Sequence, residues 1–267
     1  MSSSSFEFSV LPRADSLAGH VALVCGATGN IGAAVAHGLA EMGAHVAVHF
    51  HCRRERAEEI VGALPADRPH AVVQGDLAES QGAVRVAEST LELLGSPPTI
   101  VVNAAHPHMP SRLVRESSDD DLSGHLAGFR AHVNICRAVL PGMRDAGSGR
   151  IVFISGALAS RPFPGLAFYS SVKAGLTAFS RALALEEGGA GITVNVVAPG
   201  RIESLDGEAA FTPDPAYEAL DHVTRLRVAL TRMASAEDVA AVVCFLASPQ
   251  AEAITGQVIY LAAGEPV

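Results

Sequence analysis

The chain has 267 residues, 49% of them hydrophobic and 18% charged, with a formal net charge of −9. That length supports a sizeable core in one α/β domain, and the acidic balance, with no long Lys/Arg run, excludes a nucleic-acid face. No apolar run reaches the ~18 residues of a membrane span, so no membrane partner is expected.

Residues 1–18 read as a flexible tail. The start, Met1-Ser-Ser-Ser-Ser-Phe-Glu-Phe, has no basic region followed by an apolar one, so it does not read as a signal peptide. Cys25, Cys52, Cys136 and Cys244 show no paired spacing and read as reduced thiols of a cytoplasmic protein. The domain is then residues 19–267. His20 to Gly26 is a short apolar strand, and a helical pattern follows from Ile31 to Met42. A strand, a glycine turn and a helix form a unit that cradles a dinucleotide pyrophosphate, because backbone N–H groups and the helix dipole favour the anion. Gly26, Thr28, Gly29, Asn30, Ile31 and Gly32 are the candidate cradle. Asn30, where a third glycine would be common, is the non-glycine residue most tolerant of left-handed backbone angles.

The second strand, Ala44 to Phe50, ends without the acidic residue that would pair with the ribose hydroxyls of NAD. His51, Cys52, Arg53, Arg54 and Arg56 follow, and guanidinium groups suit a 2′-phosphate. The expected cofactor is therefore NADP(H), with NAD(H) as the alternative and Arg53 and Arg54 as the phosphate contacts. A helix near 53–64 leads to a strand over 70–76. Asp76 and Leu77 follow it, with Asp76 placed to accept from an adenine amino group. A helix near 79–94 precedes the strand Thr99–Asn103. Asn103, Ala104 and the His106-Pro-His108 turn then lie at the carboxyl edge of the sheet, where ligands sit in open α/β sheets. His106-x-His108 has no carboxylate or Cys near it in sequence, so no metal site is expected.

A long helix covers roughly 119–144, with Asn134 in an apolar-periodic run where a buried Asn needs a hydrogen-bond reason. The strand Arg150–Ser155, a Pro/Gly-rich loop and a helix to Glu187 follow. Tyr169 and Lys173, four apart on that helix, share one face. An ammonium beside a phenol favours phenolate, which makes a general acid/base usable near neutral pH. The next strand ends at Pro199-Gly200. Residues 201–230 lack clean alternation and read as a mobile substrate lid. A helix over 236–246 and a strand over 257–261 close the chain. About seven strands alternating with helices give one doubly wound parallel sheet in a single domain.

From about His20 to Gly264 the chain resembles the short-chain dehydrogenase/reductase family, whose fold is Rossmann-type. The matches are the turn Gly26–Gly32, Asp76, Asn103-Ala104-Ala105, Asn134, Ser155, Tyr169-x-x-x-Lys173, Asn195, Pro199-Gly200 and Thr255-Gly256-Gln257. The resemblance implies hydride transfer between a nicotinamide and a carbonyl or alcohol carbon of a small molecule. Tyr169 would be the acid/base, Lys173 would lower its pKa and hold the ribose, and Asn134 would hold a relay water. Ile202 and Ser204 would bind the carboxamide. It also implies a homo-oligomer, a dimer or tetramer joined through the two long helices.

One departure bears on chemistry. The family's catalytic Ser lies thirteen residues before the Tyr, and that position is Gly156. Ser155 is its neighbour and points to the other side of a strand. Losing one donor to a carbonyl oxygen costs about 10²–10³ in rate. His106, which can donate or titrate near neutral pH, is the candidate replacement, with His108, Ser160 and water as alternatives. Arg161 reads as a lid or surface charge or as a partner for an anionic substrate, and Met109, Phe163, Phe168 and Phe211 as core or pocket lining. Two other functions fit the missing hydroxyl: an enzyme of this scaffold acting on C=C or C=N bonds or in a dehydration or cyclisation, and a catalytically silent cofactor-binding partner.

Overall fold

The computed structural model describes residue 12, residues 15–202 and residues 214–266. Its centre is a seven-stranded sheet in the order β3-β2-β1-β4-β5-β6-β7. The strands are β1 (Val21–Cys25), β2 (His45–Phe50), β3 (Ala71–Gln74), β4 (Ile100–Asn103), β5 (Gly149–Ile154), β6 (Ile192–Pro199) and β7 (Val258–Leu261). Every pairing is parallel, so both faces are covered by helices and both are apolar.

The side-chain alternation of β1 sorts the two cores. Ala22 and Val24 join α1 (Asn30–Glu41), α2 (Arg54–Ala63) and α7 (Ala236–Ala247) through Val35, Leu39, Ile60 and Val243. Val21, Leu23 and Cys25 face the other way. There they meet α3 (Ser80–Leu94), α4 (Asp119–Ala146) and α5 (Ala167–Glu187) through Val86, Ile135, Met143 and Leu176. β1 lies between β2 and β4, so the chain reverses its winding direction there and opens a crevice at the carboxyl ends of β1 and β4.

Local chemistry sets the helix starts that flank this crevice. Ser118 and Asp121 form a reciprocal capping box on α4, and Ser235 and Asp238 form another on α7. Asn195, buried in β6, donates to the Ile254 carbonyl at 2.7 Å and accepts from Gln257 N–H at 3.1 Å, fixing the turn before β7.

The segment expected to be irregular, 201–230, contains a helix, α6 (Pro215–Arg227). Its prolines suggest a breaker, but Pro215 stands in the first turn, where a missing N–H costs nothing. Asp214 caps the helix by accepting from Ala216 N–H at 3.0 Å.

Candidate active site

The turn after β1 is shaped by close backbone approach. Gly26 has φ +71°, and a Cβ there would lie 2.7 Å from the Cα of Ala105 in the loop after β4. A Cβ on Gly32 would lie against the Gly26 carbonyl oxygen and 2.7 Å from Cα of Ala27. The start of α1 is thereby pressed onto the turn, leaving its first N–H groups facing the crevice. Asn30 is not left-handed: it is the first residue of α1, and the left-handed position of the turn is Gly26. No glycine is needed at position 30.

His49, an unremarked strand residue in the sequence, anchors this turn. Its Nδ1 accepts from Gly26 N–H at 3.1 Å, and its Nε2 donates to the Gly75 carbonyl at 2.9 Å. That bonding fixes a neutral tautomer, and burial pulls its pKa down to about 4.

The crevice is a cleft of about 1110 Å³. That exceeds the ~300–1,000 Å³ of a site for one small ligand. Gly26, Gly29, Asn30, Ile31, Gly32, Arg53, Ala104, Pro199, Gly200 and Ile202 line it. Thr28 belongs to the same turn. Arg53 precedes α2 and is in no ion pair among the described residues, whereas Arg54 is held by Glu58 at 3.3 Å and lies over the Phe50 ring. Asp76 and Leu77 follow β3; Asp76 accepts from Ala78 N–H at 2.9 Å, and Leu77 is buried. Asn103, fully buried at the end of β4, accepts from Ala105 N–H at 2.9 Å. Ser204 and Phe211 lie outside the described residues.

At the far end of the cleft stand Tyr169 and Lys173 on α5. Lys173 is buried, and its Nζ donates to the Ile154 carbonyl at 2.9 Å and lies 5.6 Å from the Tyr169 ring centroid. Burial pushes its pKa down to about 8. It therefore remains charged at neutral pH, where its charge favours the phenolate of Tyr169.

The Gly156 Cβ position lies 3.0 Å from the Tyr169 hydroxyl, so a side chain at 156 would reach the phenol directly. The neighbouring hydroxyls are engaged elsewhere. Ser155 donates to the Lys173 carbonyl at 3.2 Å and Ser160 to the Ala157 carbonyl at 3.1 Å.

His106 stands against Tyr169, ring centroids 5.1 Å apart and edge-on at 89°. Its Nδ1 is shut off from solvent and has no partner, and burial with the Lys173 charge holds its pKa well below the ordinary value. His108, two residues on, is exposed at the cleft edge. The loop is seated on α4 by small residues. A Cβ at Gly128 would lie 2.9 Å from Pro107 Cδ and 3.0 Å from His106 Nδ1.

Two polar side chains are tied into the fold. The Asn134 amide donates to the carbonyls of Leu77 and Ala78 at 3.0 and 3.1 Å, joining α4 to the turn after β3. That gives this polar residue on α4 a structural role. Arg161 lines the cleft, but its guanidinium is ion-paired with Glu265, whose carboxylate is fully buried. That pair neutralises the charge of Arg161.

Sequence reasoning passed over His125 and His132. They lie seven apart on α4, on the buried stripe that continues through Ile135, Val139 and Met143. The available signal was two imidazoles at core positions of an amphipathic helix. α6 completes the far wall, and Asp214 ties it to the loop after β4 by accepting from the Ser111 N–H at 2.9 Å and from the Ser111 hydroxyl. No helix among the described residues is long and apolar enough to cross a membrane.

A family model described as enoyl-(acyl carrier protein) reductase matches residues 26–265. The 3-oxoacyl-[acyl-carrier-protein] reductase FabG of Pseudomonas aeruginosa is 35% identical over 249 residues, covering 91% of this chain and 96% of that one. Dehydrogenase/reductase SDR family member 4 of Oryctolagus cuniculus is 31% identical over 259 residues, covering 95% and 96%. Among solved structures, a dehydrogenase/reductase from Sinorhizobium meliloti superposes with a TM-score of 0.84 at 32% identity, over 95% of this chain and 98% of that one. A short-chain dehydrogenase from Burkholderia cenocepacia in complex with NADP superposes with a TM-score of 0.83 at 31% identity, over 94% and 99%. With the sheet order, the glycine turn and the Tyr169/Lys173 pair in place, the chain belongs to the short-chain dehydrogenase/reductase family of oxidoreductases.

Proposed function

We propose that this enzyme is an NADP(H)-dependent reductase of a ketone, with Tyr169 as the general acid/base. The observation that carries the reading is Tyr169 in the cleft beside the buried ammonium of Lys173. The crevice fits a dinucleotide, because the bare Gly26 and Gly32 let the turn close against Ala105 and the start of α1, which brings backbone N–H groups to the pyrophosphate position. Gly26, Thr28, Gly29, Asn30, Ile31 and Gly32 would hold the pyrophosphate, and Asp76, Leu77, Asn103 and Ala104 would flank the adenosine half. Pro199, Gly200, Ile202 and Ser204 would hold the nicotinamide, with Tyr169 and Lys173 on its ribose. Arg53, with Arg54 beside it, would take the 2′-phosphate, which favours NADP(H) over NAD(H); the NADP complex of the Burkholderia relative supports the choice.

The bound cofactor supplies the hydride that reduces the carbonyl carbon. Tyr169 gives its proton to the carbonyl oxygen as charge develops there, and Lys173 stabilises the phenolate left behind. His106, held neutral by burial, presents an N–H donor to the same oxygen. The name of the Pseudomonas relative points to substrates of the 3-oxoacyl kind, a ketone next to an activated acyl group. Residues 201–230 would close over the substrate as a lid. Leu122 and Leu126 on α4 and Leu185 on α5 are exposed, which supports a homo-oligomer joined through these helices.

A second reading, reduction of a conjugated C=C bond, is favoured by Gly156 and by the description of the matching family model. The deciding experiment is turnover of a 3-oxoacyl thioester and of its 2-enoyl counterpart with NADPH and with NADH, by the wild type and by Tyr169→Phe. The reading expects a 3-hydroxy product, preference for NADPH, and a fall of about 10²–10⁴ in Tyr169→Phe with NADPH affinity retained. Full activity in Tyr169→Phe would sink it. A saturated product from the enoyl substrate alone would favour the second reading, and no turnover of either by a protein that binds NADPH would favour a silent partner.

A further inference from the structure

Proton transfer from Tyr169 leaves half of carbonyl chemistry unprovided. The oxygen that gains charge also needs a donor preorganised at its other lone pair, worth about 10²–10³ in rate. Gly156, whose Cβ position lies 3.0 Å from the phenol hydroxyl, carries no side chain to supply it, and the hydroxyls of Ser155 and Ser160 are spent on local carbonyls.

Two imidazoles face Tyr169 from the loop after β4 and from α4. His106 meets it edge-on at 5.1 Å, and His125 meets it edge-on at 6.4 Å and 80°. The two rings are 5.9 Å apart. Both line the cleft, and in each the Nδ1 is shut off from solvent with no hydrogen-bond partner. In both rings Nδ1 is closed to a ligand, that of His106 lying against α4 at Gly128, so the nitrogen left to meet a bound oxygen beside the phenol is Nε2. Among the described residues no group of three His, Cys, Asp or Glu is placed to hold an ion.

Surroundings suit both rings to donation. The Lys173 ammonium and burial disfavour their protonation, with Asp121, one turn earlier on α4, opposing this at His125. Each neutral ring keeps one N–H, which can bond an oxygen without competing with Tyr169 as the proton source. Gly124 and Gly128, on either side of His125 in sequence, admit Met109 and the His106-Pro107 pair against α4, so the helix that carries one imidazole also positions the other.

Resting on the carbonyl-reduction reading above, we propose that His125 is a catalytic residue that, together with His106, grips the substrate carbonyl oxygen opposite Tyr169. The two imidazoles do the work of the hydroxyl that Gly156 lacks.

The test is a set of variants assayed with saturating NADPH and a reducible ketone. His125→Phe keeps the ring volume without the donor, and kcat/KM should fall by about a hundredfold with NADPH affinity unchanged. His125→Gln, which returns an amide N–H near the Nε2 position, should recover most of the loss. Adding Gly156→Ser to His125→Phe should restore activity, because it puts a hydroxyl beside the phenol. A packing role predicts otherwise: His125→Phe would be tolerated, or its defect would persist with Gly156→Ser. Either result overturns the assignment and turns attention to Thr224, whose buried hydroxyl also lines the cleft. If His125→Phe does not fold, His125→Leu carries the same comparison. Tyr169→Phe separates the two ideas: inactive Tyr169→Phe with normal His125→Phe removes only the role of His125, whereas active Tyr169→Phe removes the carbonyl reading itself.

Discussion

At the glycine turn the fit is between backbones; around Tyr169 it is between side chains. Gly26 and Gly32 are bounded by main-chain atoms of Ala105, Ala27 and Gly26 itself. The far end is assembled from the loop after β4, the loop after β5, α4 and α6, joined by Ser111 to Asp214, by Arg112 N–H to the Gly165 carbonyl at 2.9 Å, and by Arg161 to Glu265. A backbone-limited contact accepts one residue type, whereas a side-chain contact can be met by many. The glycine turn therefore admits few residue types, and the wall around Tyr169 admits many.

The largest effect should come from crowding the backbone fit. Gly32→Ala puts a Cβ against the Gly26 carbonyl and 2.7 Å from Ala27 Cα, atoms that cannot rotate away. Cofactor binding should be lost, by about 10²-fold or more, as measured by NADPH fluorescence titration. Near-normal affinity would mean that the turn is softer than its contacts imply and would erase the contrast with the substrate end.

His49 tests whether a side chain shares in that close fit. The folded protein keeps this buried ring neutral down to about pH 4, whereas an unperturbed His takes up its proton near pH 6.5. Between those values the unfolded chain binds more protons than the folded one. Stability is thus full above pH 6.5, falls as the pH drops through that window, and levels off below about pH 4 for this group. Between pH 7 and pH 5 the loss from His49 alone is about 2 kcal/mol. His106 and His132, whose pKa values are also lowered by burial, add in the same direction. Urea midpoints at the two pH values should move apart in the wild type and less so in His49→Gln. An equal shift in both would show that the ring does not anchor the turn through its neutral form.

What the sequence made legible follows the same division. The strands, the sheet class, the glycine turn and the Tyr169/Lys173 spacing were readable because periodicity and close backbone approach restrict residue choice. The partners of Asn134 were not readable, because an amide on a core-facing stripe only demands some partner, and the carbonyls of Leu77 and Ala78 are brought close by tertiary packing. α6 was missed because Pro215 is a breaker in mid-helix and a starter in the first turn, and only the Asp214 cap decides which. His125 was invisible because its partners lie on the loop after β4 and on α5, and their convergence is a property of the fold.

The smallest effect should separate the two ends most cleanly. Gly128 sits on α4, with no role in the glycine turn, and a Cβ there meets Pro107 Cδ at 2.9 Å and His106 Nδ1 at 3.0 Å. Pro107 Cδ is fixed to the backbone nitrogen by its ring, so the loop itself has to shift by a few tenths of an ångström to admit the methyl. Gly128→Ala gains about 1 kcal/mol of helix propensity, which offsets that shift, so stability should change little. The displaced imidazole would then lie off its productive position. A misplacement of 1 Å can cost ~10²-fold, so a shift of a few tenths should lower kcat by about tenfold. NADPH affinity should be unchanged, because the turn after β1 is untouched. Stopped-flow hydride transfer beside equilibrium NADPH binding reads both quantities on one preparation. A matching loss in both would show that the loop after β4 and the glycine turn, which touch at Ala105 and Gly26, move as one body. An unchanged kcat would show that His106 tolerates displacement and is not held for catalysis.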